Sequence, residues 1–285
     1  MIGAELESGN IGLRFGGRAA AMAQLRVRLC YLFRHQKRVN LDSPRLFNEL
    51  VQRRKLQNRD GRMVTLADKV AVKAHVAEAL GSDWVIPTIW HGTKLPEQPD
   101  WPGPFVIKSR HGSNQNIYVR DHDPDWRRLH KRITKWGRQP YGKWLDEWLY
   151  AHIPRGILVE PFIGQEGKLP IDYKIFVFGG SAKYVQVHLE RENAHRWIVF
   201  DRDWNRLSAP TSDIDPEPPK ALARILDAAE TLGRGFNFVR VDFYEVMGKP
   251  LFGELTFYPG SGLDKFNPIS LDAEFGRHWL DAGGL

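Results

Sequence analysis

The chain has 285 residues, 42% of them hydrophobic and 12% aromatic, which is ample material for a core and excludes a disordered chain. A single cysteine, Cys30, excludes an intramolecular disulfide framework and a cysteine-based zinc site, and no run nears the ~20 apolar residues of a membrane-spanning helix. The net charge of +7 resides in residues 1–60, where twelve Lys/Arg face five acids, so the remainder of the chain is balanced.

Residues 1–18 are Gly-rich without periodicity and read as loosely ordered. From Arg18 to Arg38, Leu25, Leu29 and Leu32 or Phe33 fall at helical spacing, flanked by Arg26, Arg28, Arg34, Lys37 and Arg38. Two readings stay open: a helix docked on the body with a solvated basic edge, or an interfacial helix at anionic lipid. No motif accompanies the charge, so nucleic-acid binding is not expected. Ser43-Pro44 predicts a helix over Arg45–Lys55 that buries Leu46, Phe47 and Leu50. A second helix is expected over Leu66–Leu80, carrying Asp68-Lys69. Val85–Trp90 reads as a strand, closed by a Gly/Pro-rich loop through Pro104. Phe105–Lys108 is a short apolar strand that ends in a lysine and turns through His111-Gly112-Ser113 into a second strand, Ile117–Arg120. A lysine beside such a turn presents charge and N–H donors to phosphates. The turn has no Gly-Lys-Ser/Thr ending, which excludes a P-loop. Asp123–Tyr150 reads as helical, with its tryptophans as packing residues. Gly156–Ile163 is the next strand and carries Glu160.

Asp172–Phe178 alternates strictly, placing Asp172 and Lys174 on one face with Phe176 and Phe178. Those charges require partners: each other, or a nucleotide. Lys183–Leu189 is a further strand, and His188 and His195 lack metal-ligand spacing. Asp213–Pro219 is a Pro-rich linker, and helices over Lys220–Gly233 and around Phe275–Leu280 flank the stretch 236–262. There, two alternating runs joined by Met247–Pro250 predict a hairpin with Arg240, Asp242 and Tyr244 on one face and Glu254 and Thr256 on the partner strand. Two carboxylates in apolar surroundings demand a cation, either Arg240 or a hard metal such as magnesium. The Pro259–Gly262 turn offers N–H groups and a hydroxyl to an anion.

Arg240-Val-Asp242, followed by Gly-Glu254-Leu-Thr256 and a Pro-Gly turn, resembles the metal-binding end of the ATP-grasp ligases. Asp68-Lys69, Pro104-Phe-Val-Ile-Lys108, His111-Gly112-Ser113, Glu160-Pro161 and Asp172-Tyr-Lys174 precede it in order. The closer likeness is to the TupA-like ATP-grasp family, associated with teichuronopeptide and other polysaccharide biosynthesis. It covers residues 60 to 276. The resemblance implies an α+β, ATP-grasp fold: an antiparallel-rich central sheet, a small α+β lid subdomain and a helical N-terminal region. The implied divisions are 1–60 (basic, helical), 61–103 (first part of the ATP-grasp module), 104–160 (lid) and 161–285 (central sheet with the metal site).

The implied cofactors are ATP and Mg2+. Lys69, Lys108, His111, Gly112, Ser113, Glu160, Phe162, Ile163 and Asp172 would surround the nucleotide, and Asp242, Glu254 and Thr256 the metal. Arg240, Lys174 and Ser261 are the implied catalytic groups, with Arg240 on the transferring oxygen and Ser261 orienting the acceptor. Many relatives carry Asn at the position of Thr256, which leaves the number of metals open. The implied reaction joins a sugar carboxylate, such as a uronic acid, to an amino acid through an acyl phosphate. It would take place in the cytoplasm, at the membrane's inner face if the N-terminal helix binds lipid. Phosphotransfer to a hydroxyl, or a non-catalytic nucleotide-binding module, are the alternatives.

Overall fold

The computed structural model describes residues 17–120, 124–138, 141–190, 192, 195–212 and 214–285. The loose order expected for the first residues, up to residue 16, lies outside the described residues, as do Asp123 and Asp213, the first residues of two expected segments.

Two antiparallel sheets organise the described residues. The larger is built from β5 (Asp172–Phe178), β6 (Ser181–Leu189), β7 (Arg196–Asp201), β8 (Phe238–Val246) and β9 (Lys249–Thr256), in the order β7-β6-β5-β8-β9. Its central strand β5 is buried along its whole length, as a strand covered on both faces must be. Even-numbered residues face helices α2 (Phe47–Gln57) and α8 (Ser270–Asp281): the Phe47 ring lies 5.7 Å from Phe176 and 5.0 Å from Phe238. Odd-numbered residues face α7 (Leu222–Gly233), where a Cβ on Gly233 would stand 2.6 Å from the Val177 side chain. Burial of each such aromatic or aliphatic side chain is worth about 2 kcal/mol. Asp172, Lys174, Arg240 and Asp242 thus share the face of Phe176 and Phe178, as the alternation predicts.

The smaller sheet, in the order β1-β4-β2-β3, comprises β1 (Trp90–Gly92), β2 (Phe105–Ser109), β3 (Asn116–Val119) and β4 (Ile157–Pro161). Its own core includes Phe105, Ile107, Ile117 and Val159, with Ile133 from α5 (Trp126–Arg138) packed against them. After α5 the chain turns through residues 141–146 into the short α6 (Leu149–His152), so helix does not run unbroken to Tyr150.

Other boundaries differ for local reasons. The helix expected from Arg45 starts at Phe47, because the Glu49 carboxylate accepts hydrogen bonds from the Asn40, Arg45 and Leu46 N–H groups and folds the entry back. The helix expected over Leu66–Leu80 is two helices, α3 (Arg62–Ala67) and α4 (Val72–Leu80), broken at Asp68. That carboxylate accepts from the Val70 N–H at 2.9 Å and from Arg110 Nε at 2.7 Å. A side chain that caps the following turn competes with helix continuation. The strand expected over Val85–Trp90 contributes one bridge, Val85 to Phe252, before regular pairing begins at Trp90. Pro87 within it has no N–H to give a ladder.

Helix α1 (Arg18–His35) docks, but not through the apolar stripe that the docked reading expected. It buries Val27 and Tyr31, which pack with Val39 and Leu41. Leu25, Leu29, Leu32 and Phe33 face solvent together with Met22, and Phe33 is 83% exposed.

Candidate active site

A cleft lies between the two sheets. Lys108 enters it from the end of β2, Glu160 from β4, and Phe162 and Ile163 from the segment after β4; Asp172 and Lys174 come from β5, Asp242 from β8 and Glu254 from β9. Lys69 joins them, because the break at Asp68 turns its side chain inward: its Nζ donates to the Gly112 carbonyl at 2.6 Å and lies 3.8 Å from Glu254 Oε2. Ser113 lines the same cleft. Segments distant in sequence therefore deliver ten of the fifteen expected site residues to one opening.

At the hairpin, Asp242 stands opposite Glu254 and Arg240 opposite Thr256. The ladder shifts register just after Asp242, so Gly253 is the extra residue of a bulge beside the rung that the two carboxylates share. Asp242 is almost fully buried and closely paired: Arg240 donates from Nε and Nη2 at 2.7 Å each, and Lys174 Nζ donates at 2.6 Å. Burial alone would raise this carboxyl, but Arg240 and Lys174 hold it below its usual range. Burial likewise opposes the charge on Lys174, and Asp172 at 2.7 Å together with Asp242 outweighs it, so its pKa is raised. Arg240 is raised in the same way, chiefly by Asp242, against the effect of burial. Glu254 is more open; Thr256 Oγ1 donates to it at 3.2 Å.

A second charged knot sits across the cleft. Glu160 holds Lys108 and Lys73, each at 2.5 Å. Desolvation would raise the Glu160 carboxyl, and the two ammonium groups bring it below the usual range instead. Lys108 is raised by Glu160 against its own burial, whereas burial dominates at Lys69 and Lys73 and lowers both. Sequence reasoning missed Lys73: at the start of α4, four residues after Lys69, it carries no local signal beyond that spacing.

Three expected site residues take other places. His111 is buried beside the cleft, with its Nδ1 3.3 Å from Ser109 Oγ and its Nε2 3.4 Å from the Trp136 carbonyl; burial lowers its pKa. It ties the turn to α5 and does not line the cleft. Gly112 contributes its carbonyl, to Lys69, and is pressed against Gln115 and Tyr141 where a Cβ would stand. Ser261 lies away from the cleft; its Oγ and carbonyl both accept from Lys55 Nζ at 3.0 Å. Arg240 and Thr256 stand directly behind Asp242 and Glu254 as the hairpin face predicts.

Among the described residues no three His, Cys, Asp or Glu side chains converge into a metal cage. Asp242 and Glu254 offer two hard oxygen ligands at the cleft, which fits magnesium, an ion that takes one or two carboxylates and completes its shell with phosphate and water. Thr256 adds a hydroxyl beside Glu254.

The fold and this site can be set beside known proteins. The structure is similar to D-alanine–D-alanine ligase from Bacillus anthracis, with 15% identity and a TM-score of 0.46 over 78% of this chain and 66% of that one. It is similar to L-amino acid ligase from Bacillus licheniformis, with 12% identity and a TM-score of 0.42 over 76% and 44% of the respective chains. For N5-carboxyaminoimidazole ribonucleotide synthetase from Thermus thermophilus the values are 14% and 0.40, over 73% and 51%. The chain thus spans between 44% and 66% of the length of these three structures. No curated protein sequence matches it. The family model described as TupA-like ATPgrasp matches residues 49–280, a span that includes every expected site residue and most of the chain. The chain belongs to the TupA-like ATP-grasp family.

Proposed function

We propose that this protein is an ATP-dependent carboxylate–amine ligase that forms an amide through an acyl phosphate and releases ADP. The observation that carries the reading is the convergence of Lys69, Lys108 and Lys174 with Asp242 and Glu254 in one cleft between two sheets, with Arg240 paired to Asp242 directly behind it. Phosphoryl transfer needs positioning and charge more than covalent help from the protein. Lys108 and Lys69 reach the phosphates from the small sheet and α4 side, while Phe162 and Ile163 supply apolar walls for a base. Magnesium, held by Asp242 and Glu254, would neutralise phosphate charge. Arg240 is fixed by the two-point contact with Asp242 and offers its remaining donor to the transferring oxygen with little reorganisation. Lys174 completes the positive wall.

The family's association with polysaccharide biosynthesis supports a sugar carboxylate, such as a uronic acid, as one substrate and an amino acid as the other. Residues 104–160 would act as the lid over the nucleotide. The solvent-facing Met22, Leu25, Leu29, Leu32 and Phe33, with Arg18, Arg28, Lys37 and Arg38 also exposed, support a site of action at the inner face of the membrane, where anionic lipid would receive both apolar and basic groups.

The deciding experiment measures ADP release from Mg-ATP with uronic acids and their nucleotide-linked forms, with and without amino acids, with products read by mass. The expected product is lighter than its two precursors by one water and requires both. Phosphorylated sugar formed without amine would replace this reading with a kinase. Glu254→Gln is expected to abolish turnover while leaving the fold intact. Sedimentation with phosphatidylglycerol-rich vesicles, compared between the native chain and Leu29→Asp/Phe33→Asp, checks the location; equal binding by both would remove the membrane from it.

A further inference from the structure

A second cavity, about 540 Å³, opens between α1, α2 and residues 142–152. Ala19, Ala20 and Ala23 of α1 form a small-residue wall; Lys55, Arg59 and Glu147 carry charge at the other side, and Trp148 adds an aromatic surface. Its volume is within the range of sites for small organic ligands.

The charged groups here serve nothing in the nucleotide cleft. Lys55 is 2% exposed and Glu147 6%. Ser261 joins them: its carbonyl and its Oγ each accept from Lys55 Nζ at 3.0 Å. Burial pushes Lys55 down to about 8 and Glu147 up to about 7. Burial outweighs the attraction of Lys55 and Glu147 for each other, so both stay shifted toward their neutral forms. Around the rim Arg28, Arg53 and Lys143 outnumber Asp42, while Arg26 is already paired with Asp146. The balance favours an anion.

The cavity is also coupled to the cleft. Ser261 follows β9 by five residues, in the turn that continues from the metal-side hairpin. Gly262, at φ +65°, lets that turn press on α2, where a Cβ would meet Gln52 Nε2 at 2.7 Å. On the other side, the Tyr150 ring lies 3.3 Å from where a Cβ on Gly142, a residue of the cavity wall, would stand. Tyr141 packs edge-on against it at 5.0 Å.

We propose that the cavity between α1, α2 and residues 142–152 is the subsite for the carboxylate-bearing acceptor, an anionic organic acid of sugar size, with Lys55 and Arg59 facing its charge and Trp148 its body. The proposal rests on the ligase reading for the identity of the reaction, and it adds the place and the residues. Lys55, held by Ser261, would guide the carboxylate toward Tyr150 and Tyr141, the latter packed against Gly112 next to Ser113 of the cleft.

The test is calorimetric titration of full-length protein with D-glucuronate, D-galacturonate, glucose 6-phosphate and D-glucose, with the affinity for a non-hydrolysable ATP analogue measured in parallel. Ala23→Trp fills the cavity from α1, and Lys55→Met removes the charge. The expected result is uronate binding by the native chain that falls at least tenfold in both variants, analogue affinity within twofold throughout, and no binding of glucose. A stronger response to the phosphosugar than to the uronates would make the site one for phosphate and overturn the carboxylate assignment. Uronate affinity unchanged in Ala23→Trp, or no anion bound by the native chain, would overturn the subsite. Uronate binding lost in both variants, but with no ADP release under any pairing of substrates, would preserve the subsite and sink the ligase.

Discussion

The nucleotide cleft and the α2 cavity both bury cations, and they stabilise them in different ways. In the cleft, Lys108, Lys174 and Arg240 each face a carboxylate on an adjacent strand, and all three are shifted upward. Along α2 the buried cations answer mainly to carbonyls. Lys55, which lines the cavity, is almost fully buried and donates to the Ser261 carbonyl and Oγ at 3.0 Å each; burial pushes it down to about 8. Neutral acceptors satisfy donors without repaying the lost hydration of a charge. The cleft is thus a closed set of ion pairs set to receive a polyanion, and the cavity holds charge that lacks full compensation.

The largest effect should come from opening the cleft's closed set. Asp242→Asn removes one negative charge from between Arg240 and Lys174, both nearly buried. A buried pair broken on one side costs about 3–5 kcal/mol. Urea unfolding should show a loss of that order, and Mg-dependent ADP release should vanish. Glu254→Gln, at a carboxylate 30% exposed, should lose the same activity with almost no change in stability. Equal stability in the two variants would mean that the ion-pair set contributes nothing to folding.

The cavity should reveal itself through pH. The Glu147 carboxyl is pushed by burial from 4.5 up to about 7 in the folded state. A group whose pKa is raised on folding stabilises fully below its unfolded value, and that contribution is lost as pH rises through the folded one. The loss amounts to about 3 kcal/mol between about pH 5 and about pH 8. Lys55, pushed down to about 8, changes stability mainly above that window. Unfolding free energies of the native chain and Glu147→Gln at the two pH values should differ by that amount, with the variant flatter. Parallel pH curves would show that Glu147 titrates as an ordinary surface acid.

Next in size is Gly262→Ala. The backbone there is left-handed, and a Cβ would stand 2.7 Å from Gln52 Nε2 and 2.8 Å from the Asn48 carbonyl. The strain should cost about 2 kcal/mol, read as a lower denaturation midpoint, and it should shift Ser261 away from Lys55. A native midpoint would mean that the turn has room to move off α2.

The two regions were also unequally legible. Strict alternation over 172–178 and 238–246, with Lys108 at the end of an apolar strand, placed the cleft's charges on the right faces because strand periodicity is local. The cavity is assembled from residues 19–28, 41–59 and 142–152, and no local pattern brings such segments together. Ser261 was therefore expected in the cleft and lies beside the cavity. His111 was misplaced for a related reason: a polar residue in a phosphate-facing turn reads as a ligand, and only the packing of α5 shows that it faces inward. The docked reading of helix α1 chose the wrong stripe because its apolar residues fall on two opposed faces, and periodicity alone cannot choose the one that docks.

The smallest effect separates the two lysines on Glu160. Lys73 Nζ also donates to the Ile86 carbonyl and to Thr88 Oγ1, each at 2.8 Å, so it anchors the start of α4 to the segment before β1. Lys108 has no such second duty among the described residues and lies at the mouth of β2. Lys73→Gln should keep the two neutral hydrogen bonds, leave Lys108 on Glu160, and lower stability by about 1 kcal/mol. Its Michaelis constant for ATP should rise less than tenfold. Lys108→Gln should instead raise that constant by well over tenfold at similar stability. Equal effects on ATP would mean that Glu160 presents both ammonium groups to the phosphates, and the cleft would then hold a lysine pair where only Lys108 was assigned.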